Sequence, residues 1–130
     1  MNSEAVFSYD EAFGINSGIL SPAEQSRLKE ARVAVMGMSA GGVIAVMLAR
    51  SGVTRFTLID HSRYALPDIN RDIGCYMDNI GEFKAETIKG QLLRINPQVE
   101  VDVVTEKLAL QDMGEYLDGC DVFFAQSDDI

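Results

Sequence analysis

An α/β fold, a parallel sheet with helices on both faces preceded by an N-terminal helical arm, follows from three features of the sequence. Short apolar runs alternate with longer stretches of helical periodicity, the signature of right-handed strand–helix–strand units. A glycine-rich turn joins the first such run to the first helix behind it. The chain has 130 residues, 47% of them hydrophobic, which suits one domain with a real core.

The arm and its helix occupy residues 1–31, and the α/β unit residues 32–130. Ser21-Pro22-Ala23-Glu24 reads as a capping box with proline at the first helical position, so a helix is predicted over Pro22 to Ala31. Val33-Ala34-Val35-Met36 is an apolar run ending in glycine, the profile of a buried parallel strand. Ala40 to Arg50 is apolar nearly all round, as a helix lying on a sheet should be, and Gly52 stops it. Phe56 to Ile59 is the second strand and closes on Asp60. After an irregular stretch, His61 to Ile80, the spacing of Ala85, Ile88, Leu92 and Ile95 predicts a helix over Glu82 to Ile95, which Asn96-Pro97 ends. Val99, Val101 and Val103 alternate with acids, which predicts a half-exposed third strand. Leu108 to Leu117 carries a weaker helical pattern, and Asp121 to Phe124 is the fourth strand. Such folds usually continue past this point, so the expectation is a fragment of a longer protein, or a chain that pairs with another copy through the apolar surface a sheet halted at four strands leaves bare.

Composition excludes several function classes. A net charge of −9 is adverse to unspecific binding of nucleic acid or anionic membrane. No apolar run approaches the roughly 20 residues of a membrane span, and the N-terminus has no basic region followed by an apolar one. Cys75 and Cys120 have neither a metal-ligand nor a CxxC spacing, so a reducing cytoplasm fits them and each reads as a core thiol. His61 is the single histidine.

Gly37-Met38-Ser39-Ala40-Gly41-Gly42 stands where a nucleotide's phosphates would meet the N–H groups and positive dipole end of a helix. The middle glycine of the GxGxxG pattern is Ser39 here, and a tight turn that binds nothing is the bland alternative. Asp60 lies near the approximately 20-residue offset at which an acid reaches a ribose hydroxyl. By themselves the turn and Asp60 fit an NAD-dependent oxidoreductase equally well.

Other motifs separate the two. Leu66-Pro67-Asp68-Ile69-Asn70-Arg71-Asp72, Gly81-Glu82-Phe83-Lys84-Ala85-Glu86 and Arg94-Ile95-Asn96-Pro97 occur in that order, behind Ser8-Tyr9-Asp10-Glu11-Ala12-Phe13 and Leu20-Ser21-Pro22-Ala23-Glu24-Gln25. Together, from about Tyr9 to Asp128, they resemble the ThiF/MoeB/HesA family of ubiquitin-activating-type (E1-like) adenylation domains. The resemblance implies a Rossmann-like fold and ATP-dependent adenylation of the C-terminal carboxylate of a ubiquitin-like or sulfur-carrier protein, with Mg²⁺, in a homodimer or a heterodimer of related subunits. It further implies that Arg71 and Lys84 meet the ATP phosphates with Asn70 beside them, and that Gly37, Ser39, Gly41 and Gly42 form the nucleotide turn. Asp60 would hold the ribose, and Asp128 would anchor Mg²⁺ and the reacting centre. A carboxylate is already a nucleophile, so this chemistry asks for positioning and for neutralised phosphate charge rather than for a base.

The chain departs from that pattern at several positions. Glu11 stands where the family has an arginine that reaches the partner subunit's ATP, Ser39 and Ala40 replace glycines, and His61-Ser62 replaces an aromatic-Asp pair. Asp72 replaces a glutamine and Ala125 an aspartate. The changes at Glu11, Ser39 and Asp72 favour a rival reading, a divergent binding or partner subunit that keeps the fold without adenylating.

Overall fold

The computed structural model describes residues 5–126. The arm begins with α1 (Tyr9–Phe13), capped by Ser8, whose hydroxyl accepts the Glu11 N–H, and continues through a 3-10 turn (Gly14–Gly18) to α2 (Pro22–Glu30). The expected capping box is formed, with Ser21 Oγ accepting the Glu24 N–H at 3.1 Å and Glu24 Oε1 accepting the Ser21 N–H at 2.9 Å.

Four strands, β1 (Arg32–Met36), β2 (Arg55–Ile59), β3 (Glu100–Val104) and β4 (Val122–Ala125), form one parallel sheet in the order β3-β2-β1-β4. Between them run α3 (Met38–Ser51), α4 (Lys84–Ile95) and the short α5 (Met113–Leu117). The first two crossovers step in one direction across the sheet and the third steps back. Right-handed connections therefore put α3 and α4 on one face and α5 on the other. The register makes the two faces unlike. Val33 pairs with Phe56 and Val35 with Leu58 on the face that packs against Ala45, Ala49, Ile88 and Leu92, whereas Ala34, Thr57 and Asp102 line the face near Tyr116. Burial of side chains such as Ile88 and Leu92, each fully removed from solvent, contributes about 1.5–3 kcal/mol apiece. The alternating exposure of β3 is the expected half-exposed strand.

The arm docks on the C-terminal end of α3. Tyr9 donates to Gly52 O at 2.6 Å, Gln25 Nε2 donates to Ser51 O and to Tyr9 Oη at 3.0 Å, and Asn16 Nδ2 donates to Ser51 O at 3.2 Å. These side chains answer carbonyls that a helix end leaves unpaired. Glu11 thus lies at one end of α3 and Gly37 at the other, and 14 helical residues span about 21 Å. Within one chain the arm does not bring Glu11 to the glycine turn.

Three helix starts differ from expectation by two residues or more, the first two for a tertiary reason. α3 starts at Met38 rather than Ala40, because the Asp60 carboxylate accepts the Met38 N–H at 2.8 Å and completes the helix start. α4 starts at Lys84 rather than Glu82, because residues 62–64 pair with 82–84 in an extended bridge: Tyr64 N donates to Glu82 O and Lys84 N to Ser62 O. The helix expected from Leu108 shortens to α5, preceded by a 3-10 turn (Leu110–Asp112).

Only Gly37 of the glycine run is non-helical, with φ of 87°. Gly41 and Gly42 lie inside α3, where a Cβ would stand 2.5 Å from Val35 Cγ1 and 2.9 Å from Ile88 Cδ1 respectively. They let the helix approach β1 and α4. Gly90, on the exposed side of α4, meets nothing within 4 Å. Gly41→Ala should therefore destabilise the chain by about 1–3 kcal/mol despite alanine's better helix propensity. Gly90→Ala should stabilise it by about 0.5–1 kcal/mol. Urea unfolding measures both, and equal signs for the two variants would refute the packing role of Gly41.

Candidate functional site

The C-terminal ends of β1 and β2 open into a cleft of about 430 Å³. It lies where the strand order reverses, with β1 connecting onward to β2 on one side and bordered by β4 on the other, the place where open parallel sheets bind ligands. Gly37, Met38 and Ser39 form one wall, Asp60, His61 and Ser62 the second, Arg71 and Lys84 the third, and Glu106, Lys107, Leu108 and Gln126 the rim. Of the residues singled out in the sequence, Gly37, Ser39, Asp60, Arg71 and Lys84 thus share one cavity. Gly41 and Gly42 face the core, Asn70 is exposed beside the cleft, and Asp128 lies outside the described residues. A second cleft of about 380 Å³, on the α5 face between Arg32, Thr57, Asp102 and Tyr116, contains none of them.

Each wall is positioned by a specific contact. Asp60 ends β2 and is held twice, Oδ2 accepting the Met38 N–H and Oδ1 accepting the Ser62 N–H at 2.8 Å and the Ser62 hydroxyl. A carboxylate offers about four acceptor positions, so Oδ2 keeps one for a sugar hydroxyl. The first-turn N–H groups of α3 beyond Met38 have no helical partner and point toward the cleft.

The third wall is an ion-pair cluster built by the Leu66–Asn70 3-10 turn and the start of α4. Lys84 Nζ lies 2.8 Å from Asp72 Oδ2 and 3.4 Å from Asp68 Oδ2, with the lysine side chain 9% exposed and that of Asp72 1%. Arg71 Nη2 lies 3.1 Å from Asp68 Oδ1, and its Nη1 donates to Pro67 O and Asn70 Oδ1. Burial works against the Lys84 ammonium, but its hydrogen bond to Asp72 and the charges of Asp72, Asp68 and Asp60 prevail, and its pKa is raised. The Ala65 N–H, donated to Asp68 at 2.8 Å, is the chief cause that holds the Asp68 carboxyl below the ordinary range. Burial opposes it, and Lys84 and Arg71 add to it.

Sequence reasoning missed three participants: Ser62, which orients Asp60, and Asp68 and Asp72, which hold Lys84. A serine two residues after an acid and two acids flanking Arg71 were the available signals. Cys75 is buried and Cys120 half-buried, and burial pushes both thiols up, away from the thiolate a nucleophile needs. Among the described residues no group of three or more His, Cys, Asp or Glu is arranged to hold a metal ion. No helix among them is long and apolar enough to cross a membrane.

Comparison with known proteins adds three findings. The ThiF family model matches residues 14–130. The tRNA threonylcarbamoyladenosine dehydratase of Haemophilus influenzae is 29% identical over 110 residues, covering 84% of this chain and 42% of that protein. The structure of the Escherichia coli tRNA threonylcarbamoyladenosine dehydratase TcdA with ATP superimposes with a TM-score of 0.88 at 27% identity, over 95% of this chain and 53% of that one. The E. coli MccB structure with AMPCPP and MccA gives 0.74 at 26% identity, over 82% and 31%. This chain therefore spans about half the length, or less, of the proteins it matches.

The depressed Asp68 carboxyl carries a pH signature. A group lowered in the folded state contributes stability that is fully present above its unfolded value, about 3.9, and is lost as pH falls through its folded value. The stability gap between the natural chain and Asp68→Asn should hold from pH 7 to about pH 5 and narrow below about pH 4. Urea titrations at several pH values measure it, and a gap that widens on acidification would contradict the assignment.

Proposed function

From its membership of the ThiF family, to which the chain belongs, we propose that it supplies the nucleotide-binding half of an enzyme that adenylates a carboxylate with ATP. The substrate we propose is the C-terminal carboxylate of a ubiquitin-like or sulfur-carrier protein. The supporting observation is the single cleft that collects Gly37, Ser39, Asp60, Arg71 and Lys84, in a fold like that of ATP-bound TcdA. MccB, crystallised with an ATP analogue together with MccA, is a relative whose structure combines a nucleotide with a second molecule.

In this reading the ribose donates to the free lone pair of Asp60, and the phosphates lie along the α3 N-terminus toward Arg71. Lys84 stands behind Arg71. The carrier's carboxylate attacks the α-phosphorus, pyrophosphate leaves, and an acyl-adenylate remains. Mg²⁺, held by Asp128, would offset the charge of the departing pyrophosphate. The chain's own part is to hold two anions in line and to keep the α-phosphate near cationic and N–H groups.

We also propose that the protein works as a homodimer or beside a related subunit. The segment 61–83 and α3 leave Ile69, Ile73, Tyr76, Met77 and Met47 between 45% and 72% exposed, a patch suited to a protein partner. The docked arm contributes nothing to the lining of the glycine-turn cleft of its own chain, so Glu11 would meet such a cleft in a second subunit. A cytoplasmic location is consistent with the two free thiols.

The rival with specific support is a nucleotide-binding subunit that does not adenylate, because Asp68 and Asp72 occupy Lys84. Pyrophosphate exchange by the full-length protein with candidate carriers separates the two. An NAD-dependent oxidoreductase would leave the order of motifs around Asn70, Arg71 and Lys84 unexplained.

Two outcomes are expected. ATP with Mg²⁺ should raise the melting temperature more than NAD does, since a ligand at a hundredfold excess over Kd adds about 2.7 kcal/mol of stability. A larger shift with NAD would overturn the adenylation reading. Arg71→Ala removes a side chain 60% exposed to solvent, so the fold should persist while ATP affinity falls roughly tenfold or more. Calorimetric titration that finds unchanged affinity would return Arg71 to the ordinary surface.

A further inference from the structure

Lys84 lines the cleft, yet its charge is already committed. Its ammonium is buried between two carboxylates, 2.8 Å from Asp72 and 3.4 Å from Asp68, and it lies 5.7 Å from the centre of the Tyr64 ring. Arg71 and Lys84 together bring two positive charges, and Asp68 and Asp72 bring two negative ones. The third wall of the cleft is therefore electrically balanced before any ligand arrives. Asp68 has other reasons to be where it is, because it accepts the Ala65 N–H and pairs with the exposed Arg71. Asp72 has no such second role. Its side chain is 1% exposed, Oδ2 faces Lys84, and Oδ1 has no hydrogen-bond partner among the described residues. A buried carboxylate with one oxygen unanswered is costly, and a neutral side chain of the same shape would fit the same space.

We propose that Asp72 is a specificity-determining residue of the nucleotide cleft: it holds Lys84 in a buried ion pair and withdraws that lysine from the phosphates, so that the grip on phosphate rests on Arg71 and the α3 N-terminus. This rests on the nucleotide reading above. It makes the cleft discriminate weakly among ligands that share base and sugar but differ in phosphate charge. The repulsion of Asp72 and the attraction of Lys84 nearly cancel at a phosphate, so adding phosphates to the ligand gains little from this pair. Screening by salt does little here, because the pair is shielded from solvent.

The test titrates adenosine, AMP and ATP into the full chain by calorimetry, in EDTA, for the natural protein, Asp72→Asn and Asp72→Gln. Both variants keep a polar group beside Lys84 while removing the charge. ATP should bind about tenfold more tightly to each variant, AMP should gain less, and adenosine should not change. The gain should vanish when Lys84→Gln is combined with either variant, which a merely structural role for Asp72 would not produce. Should the natural protein bind ATP while neither variant binds it more tightly, or should adenosine gain as much as ATP, the assignment falls and the nucleotide reading stands. Should none of the three ligands bind any of the proteins, both fall together. A measurement that needs no folded variant is the NMR resonance of the Lys84 ammonium in the natural protein. On ATP addition it should stay in place while the Arg71 guanidinium moves, and a shift of Lys84 as large as that of Arg71 would overturn the proposal.

Discussion

The Asp60 carboxylate is the constraint from which the cleft is built. It ends β2, accepts the first N–H of α3, and through Ser62 fixes the direction in which the crossover segment leaves the sheet. One side chain thereby sets the distance between the ends of the two central strands and the start of the helix that follows the first of them. Gly37 can take its positive φ of 87° because it has no Cβ, and it does so where the chain turns from β1 into a helix whose start is anchored. The same carboxylate that shapes the turn is the one proposed as a ribose ligand, and the proposed role would draw on a different lone pair of the group.

A second layer of organisation lies behind that wall. The segment from His61 to Phe83 has no regular periodicity, yet it is not loosely held. Tyr64 and Cys75 are buried, Arg63 stacks on Phe83 with its guanidinium carbon 3.7 Å from the ring centre, and residues 62–64 pair with 82–84. These contacts hold Asp68 and Asp72 against Lys84, the first residue of α4. Removing one member of a buried pair leaves the other uncompensated, which is more costly than the pair's own net contribution. The cluster therefore ties the placement of α4 to the conformation of the crossover loop.

The fold was legible because each signal was local or periodic. The apolar runs of β1, β2 and β4, the alternation of β3, the spacing of Ala85, Ile88, Leu92 and Ile95, and the Ser21–Glu24 box all depend on neighbours within a few residues. The order of motifs around Arg71 and Lys84 brought both into the cleft with Asp60. What stayed illegible depends on contacts across the sequence. The early start of α3 needs a carboxylate 22 residues away, and the inward direction of Gly41 and Gly42 needs Val35 and Ile88 in place. The partners of Lys84 could not be read because nothing in an aperiodic segment says which acids turn inward. Asp72 drew notice as a changed residue type, but its burial was visible only in three dimensions.

That burial also decides which charges matter to a bound anion. With a net charge of −9 the chain would repel a nucleotide at long range, but most of its acids are on the surface. Beyond a Debye length of about 8 Å at physiological salt, such charges are largely screened. Asp68 and Asp72 lie under the wall of the cleft itself, where little solvent intervenes and each unit of charge acts at greater strength. Two carboxylates at that position oppose a phosphate more than many at the periphery. The lysine they hold would otherwise be the strongest attraction the wall could offer. On the proposed nucleotide reading, affinity for phosphate would be a matter of how a few buried groups share one ammonium, with the global charge as the background against which they act.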